Sequence, residues 1–195
     1  VTLAVSVTLG GSVELLDRSL AYTCGRLAGV RDDLLDRRTP CACWRLADLL
    51  AHMEDALDAF TEAAGGSVDV HRSRSAAGPV PTIRAKATAL LGAWSRPSPG
   101  DVVIEAATGR HDLVSPLLVA TAALEVTTHG WDVGRAVGED APIPVDLAES
   151  LLPIARAAVT RADRGIRFAP ALPAPADAPA DARLLAFLGR RPGRT

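Results

Sequence analysis

Glu125 is the only carboxylate between Leu113 and Trp131, in a stretch otherwise built from Leu, Val, Ala and Thr. A helix of that composition is buried on most sides, and a buried carboxylate is costly unless it is paired or bound to a metal. Four residues on stands His129, so the two side chains share one helix face a single turn apart. Such a pair can offer one oxygen and one imidazole nitrogen to the same ion. The third donor must come from another helix. His52 fits, at the edge of an apolar stripe made by Leu49, Met53, Ala56 and Phe60. Two imidazoles and one carboxylate suit zinc, nickel or iron(II), with coordination positions left open for chemistry. The plainer alternative is a core histidine at 52 and a Glu125–His129 hydrogen bond across one turn. Asp132, three residues beyond His129, either orients that imidazole or pairs with Arg135 at helical spacing. Trp131 is a packed helix-end tryptophan or a substrate contact. His71 and His111 fall in loop or hairpin contexts and read as solvated.

The elements that must hold these groups follow from apolar periodicity. The spacing predicts helices from about Ser12 to Leu27, Trp44 to Ala63, Thr82 to Trp94, Ser115 to Val137 and Asp146 to Arg164. The fourth opens on Ser115-Pro116 and closes on Gly138. The fifth has Asp146 as its N-cap and Pro153 as a kink or late start. Residues 101–114 read as a short hairpin or two extended edges. Val1 to Leu9 reads as an extended segment or a disordered tail, without the basic start of a signal peptide. Pro170 to Pro179 is a proline-alanine strap, followed by a short helix over Asp181 to Leu188 that stops at Gly189. Four long helices joined by unequal connections define an all-α bundle, and 195 residues fit one domain.

Composition narrows the function classes. Hydrophobic residues make up 48% and aromatics 4%, so Leu, Val and Ala must form the core. The formal net charge of -2 gives no electrostatic case for nucleic acid. The apolar run from Leu113 to Leu124 falls well short of the ~20 residues of a membrane helix, so a cytoplasmic protein is expected. Cys24, Cys41 and Cys43 are too few for a disulfide framework, and Cys41-x-Cys43 is spaced too tightly for a zinc knuckle. They read as small thiols in a reducing compartment.

Two strings are specific enough to compare with known proteins. One is Thr39-Pro40-Cys41-Ala42-Cys43-Trp44 leading to Leu49-Leu50-Ala51-His52. The other is Glu125-x-x-x-His129-Gly130-Trp131-Asp132-Val133-Gly134-Arg135-Ala136-Val137-Gly138. Together they resemble the DinB-like superfamily, in the actinobacterial metal-binding branch related to mycothiol-dependent maleylpyruvate isomerase. The ending Arg183-Leu184-Leu185-Ala186-Phe187-Leu188-Gly189-Arg190-Arg191-Pro192 resembles that branch too. The resemblance implies an up-down-down-up four-helix bundle with a metal triad that falls on His52, Glu125 and His129. It also implies a metal-bound low-molecular-weight thiol, of mycothiol type, used by a transferase or isomerase on a small-molecule electrophile. The isomerase carries a further C-terminal domain, for which the strap and short last helix leave no room. Two other functions fit the same residues. One is a thiol-independent hydrolase, cyclase or isomerase of specialised metabolism acting on a larger apolar substrate. The other is a non-enzymatic metal- or ligand-binding module, working through a partner or as a homodimer.

Overall fold

The computed structural model describes residues 8–41, 44–65, 78–96, 102–106, 109–113 and 115–191. Six helices are found among them: α1 (Leu9–Arg26), α2 (Leu46–Ala63), α3 (Pro79–Trp94), α4 (Ser115–Val137), α5 (Val145–Ala158) and α6 (Ala180–Phe187). Strands β1 (Val102–Ala106) and β2 (Gly109–Leu113) pair antiparallel, with Val102 opposite Leu113 and Ala106 opposite Gly109. The hairpin expected between α3 and α4 is therefore present. No helix among the described residues is long and apolar enough to cross a membrane.

Helix ends follow local chemistry. Thr8 is the N-cap of α1, its hydroxyl accepting from the Gly11 N–H at 3.2 Å. Leu9 is thus helical rather than part of an extended tail, and Val1–Val7 lie outside the described residues. The Asp48 carboxylate accepts from the Arg45 N–H at 2.9 Å, closing the first turn of α2. Pro79 opens α3 without wasting a donor. α4 ends at Gly138, whose φ of 96° only glycine adopts freely. There the Glu139 N–H reaches Gly134 O at 2.8 Å and the Gly138 N–H reaches Arg135 O, which satisfies two orphan carbonyls.

Contacts between helices set the topology. Thr23 of α1 donates to Val126 O of α4 at 2.9 Å, and Arg26 at the end of α1 pairs with Glu139 just past α4 at 2.8 Å. These two helices therefore run parallel. α2 and α3 run parallel as well: Lys86 pairs with Asp58 at 2.5 Å, and further along Trp94 Nε1 donates to Phe60 O at 2.9 Å. Arg84, early in α3, donates to Cys24 O, late in α1, at 2.8 Å, so the two pairs oppose each other. This is an all-α, DinB-like up-down-down-up four-helix bundle. α5 and α6 pack together, and α5 lies against α4.

The structure corrects two expectations for the fifth helix. It ends at Ala158 rather than Arg164, because Val159 turns extended and Thr160–Asp163 closes a separate short turn, the Asp163 carboxylate accepting from the Thr160 N–H at 2.8 Å. Asp146 is not the N-cap. Pro144 holds that boundary, and Asp146 lies in the first turn paired with Arg18 of α1 at 2.6 Å. Pro153 lies within α5 without delaying its start.

The α1–α4 contact is set by Gly130. A Cβ there would stand 3.0 Å from Thr23 Cβ and 3.1 Å from Thr23 Cα, so only glycine lets the backbones approach this closely. Gly130→Ala gains roughly 1 kcal/mol of helix propensity but meets Thr23 Oγ1 first, a hydroxyl tied to Val126 O, with Thr23 Cβ and Cα directly behind it. Overpacking of that kind costs about 1–3 kcal/mol. The expected result is a net loss of stability in urea unfolding. A variant more stable than the parent would show that α1 shifts freely.

Candidate metal centre

Each donor reaches the site because its helix buries the adjacent face. On α2 the buried residues Leu46, Leu49, Leu50, Met53 and Leu57 pin one side, which leaves His52 at the edge with a side chain 36% exposed. α4 is buried along most of its length. Glu125 is half-buried, its side chain 21% exposed, while His129 is buried. The i and i+4 positions bring Glu125 Oε1 within 3.1 Å of His129 Nε2, and the same oxygen lies 2.7 Å from His52 Nε2. Donor atoms of all three residues lie within 4.8 Å of one another. Two imidazole nitrogens and a carboxylate oxygen around one point match the donor set of a divalent transition metal, so the residues present fit such an ion.

His129 is oriented from behind. Its Nδ1 lies 3.0 Å from Asp132 Oδ2, and a carboxylate only accepts, so Nδ1 carries the proton and Nε2 faces the site. Burial alone would push the Asp132 carboxyl up. The Arg190 guanidinium and His129 together outweigh burial and hold it below its ordinary value. Arg190 donates from Nε to Asp132 Oδ1 at 2.9 Å and from Nη2 to Oδ2 at 2.7 Å. Asp132 therefore orients His129, as one sequence alternative had it. The other alternative, a pair with Arg135, is not formed. Arg135 pairs instead with Asp140, and its guanidinium lies 5.8 Å from the ring centre of the buried Trp131. The ring and hydrogen-bond contacts of the triad among the described residues are with Trp44 and Asp132, so the structure does not bring Trp131 or Arg135 to it.

Sequence reasoning missed two residues as parts of the site. Arg190 arrives through the turn that ends α6, where Gly189 adopts φ 76° and the Arg190 N–H bonds back to Leu185 O at 2.8 Å. Trp44 lies 4.7 Å from the His52 ring centre and 6.1 Å from that of His129. Its backbone carbonyl accepts from both the N–H and the hydroxyl of Thr39, each at 3.1 Å, which fixes the tryptophan ahead of α2. Both residues stand in the strings that carry the family resemblance, and that was their one signal.

Of the thiols, Cys24 is free and half-buried, in a pocket that Glu125 and His129 also line. Burial pushes its pKa up, against a smaller opposing effect of Arg84, so it is no ready nucleophile. Cys41 is half-buried. Cys43 and His71 lie outside the described residues, as does the side chain of His111 on β2.

Glu125 and His129 hold each other charged. Burial pulls His129 toward its neutral form, but Glu125 and Asp132 outweigh it and raise the pKa to about 9. Burial likewise pushes Glu125 up, and His129 and His52 reverse this, so its pKa ends well below the carboxylate range. His129 therefore carries a proton at neutral pH that a metal must displace. Zinc titrations near pH 7 in buffers of different ionisation enthalpy are expected to show release of about one proton. Apparent affinity should then rise about tenfold per pH unit until His129 titrates. Uptake without proton release would show that His129 is already neutral.

The fold and the donor set define a DinB-like helical bundle with a two-histidine, one-carboxylate constellation between its helices. The chain belongs to the family of the mycothiol maleylpyruvate isomerase N-terminal domain, which it matches over residues 16–134. It is 30% identical over 174 residues to uncharacterized proteins from two strains of Mycobacterium tuberculosis, covering 84% of this chain and 89% of each relative. Among solved structures it is similar to the mycothiol-dependent maleylpyruvate isomerase, with a TM-score of 0.56 at 18% identity over 76% of this chain and 68% of that chain. A histidine-to-alanine mutant of that enzyme gives the same TM-score at 17% identity. At such identity the likeness speaks for the fold.

Proposed function

We propose that this protein is a metal-dependent enzyme that uses a low-molecular-weight thiol, of mycothiol type, as an S-transferase or isomerase acting on a small electrophile. The observation that carries the reading is the convergence of His52, Glu125 and His129 donor atoms within 4.8 Å, backed by an oriented His129. Membership of a family described by a mycothiol enzyme supports the choice of thiol. His52 and His129 would hold the ion through Nε2 and Glu125 through a carboxylate oxygen. Zinc is the first choice, with nickel and iron as the other candidates. Such an ion, when bound, lowers the pKa of a ligated thiol and supplies a thiolate at neutral pH. Asp132 keeps the His129 proton on Nδ1 and so leaves Nε2 free. The half-buried Trp44 covers the imidazoles on one side and limits water there.

The test is turnover of a panel of small electrophiles, maleylpyruvate among them, with and without mycothiol, by metal-stripped and zinc-restored protein. Activity is expected only with both metal and thiol, and it should return when zinc is added back. Equal turnover without thiol would move the reading to a hydrolase, cyclase or isomerase that needs none.

A further inference from the structure

A second feature touches the triad from the outside. A groove of about 350 Å³ runs between α4 and the segment after α5, lined by Phe60, Leu117, Leu118, Thr121, Val159 and Phe168. Its volume falls in the range of small-molecule sites, about 300–1,000 Å³. Glu125 lines this groove and also lines the inner pocket that contains His129. Arg167 lines the groove as well, and is shared with a neighbouring pocket beside Cys41 and Arg190. The groove therefore links a donor of the candidate metal centre to a guanidinium across an apolar wall.

Among the described residues, Arg167 is its only cationic lining residue. Asp163 holds one corner of the guanidinium at 3.2 Å, and the side chain remains 63% exposed. A guanidinium has five N–H donors, so one engaged corner leaves the planar fork able to take a carboxylate. Apart from Thr121 and Glu125 the rest of the wall is apolar, and Leu117 stays partly exposed within it. An apolar surface that large beside a single cation is matched by an amphiphilic acid.

We propose that this groove seats the electrophile and selects a small carboxylic acid with an apolar alkenyl or aryl body, its carboxylate on Arg167 and its body against Phe60, Leu118 and Phe168. The assignment rests on the metal-dependent reading for the meaning of the Glu125 contact. The binding itself can be measured apart from it.

Cinnamate, cinnamamide and acetate serve as probes, titrated calorimetrically into the zinc-loaded and the metal-stripped protein. Cinnamate is expected to bind about tenfold more tightly than either analogue, since the amide lacks the charge and acetate lacks the apolar body. Arg167→Gln should remove the advantage of cinnamate over cinnamamide and leave zinc uptake unchanged. Thr121→Trp, which fills the groove from the surface of α4, should weaken cinnamate and cinnamamide together, with folding checked by circular dichroism. Unaltered cinnamate affinity in Arg167→Gln would overturn the proposal, as would a parent protein that does not prefer cinnamate. Arg167-dependent binding to a protein that takes up no zinc would leave the groove standing and sink the metal reading. Normal zinc uptake without Arg167 dependence would do the reverse.

Discussion

His52→Ala is expected to abolish stoichiometric zinc binding while leaving the bundle folded. In the proposed centre His52 would supply one of three protein donors, and its loss would leave two neighbours on a single helix face. Loss of an outer partner typically weakens metal binding about 10–100-fold, so removal of a donor itself should exceed that. The structural cost is small by comparison. The side chain is 36% exposed, and its one hydrogen-bonding contact among the described residues is with Glu125 at 2.7 Å. Glu125 keeps His129 at 3.1 Å, so its charge is not stranded. A hydrogen bond to a charged group is worth roughly 1.5–3 kcal/mol, and partial exposure brings the loss to the lower end. Glu125→Ala is the harsher change, because it leaves the buried His129 without the carboxylate that raises its pKa. Elemental analysis beside thermal melts separates the two variants. A His52→Ala protein that still carries one zinc per chain would place the metal elsewhere.

The fold was legible where local chemistry decides it. α4 runs from Ser115 to Val137 as expected, because Ser115-Pro116 starts it and Gly138 supplies the positive φ that stops it. The fifth helix was overextended because Val159 and Ala162 continue the apolar spacing, whereas Thr160 and Asp163 form a competing local turn. For the candidate site, spacing found the Glu125–His129 pair, since a four-residue interval fixes two side chains on one helix face. His52 could only be nominated, because bundle geometry rather than spacing brings α2 against α4. For Asp132, spacing offered His129 and Arg135, each three residues away, and the first is in hydrogen-bond contact with it. Its cationic partner stands 58 positions later, where the turn at Gly189 returns Arg190 to the bundle. A pair of that separation leaves no periodic trace.

That distant pair carries the second large expected effect. Asp132→Ala should lower both stability and metal affinity, through separate routes. Asp132 is 0% exposed and Arg190 8%. Without the carboxylate, the guanidinium stays buried with a 3.3 Å bond to Leu188 O as its remaining hydrogen bond among the described residues. Stranding one member of a buried ion pair costs about 3–5 kcal/mol. The same change frees His129 Nδ1 to exchange its proton and its ring to turn, which should weaken zinc binding about 10–100-fold. Arg190→Met separates the routes: it removes the cation but keeps the Asp132–His129 hydrogen bond, so stability should fall more than zinc affinity. In the double variant neither charge is stranded, and it should recover part of the stability lost in Asp132→Ala. Zinc affinity should stay low, because nothing has replaced the acceptor at Nδ1. Urea unfolding of metal-stripped proteins gives the first quantity and competitive zinc titration the second. Parental zinc affinity in Asp132→Ala would remove Asp132 from the metal centre. A double variant no more stable than Asp132→Ala would show that Arg190 finds another partner, and that the C-terminal turn is not tied to the site through this pair.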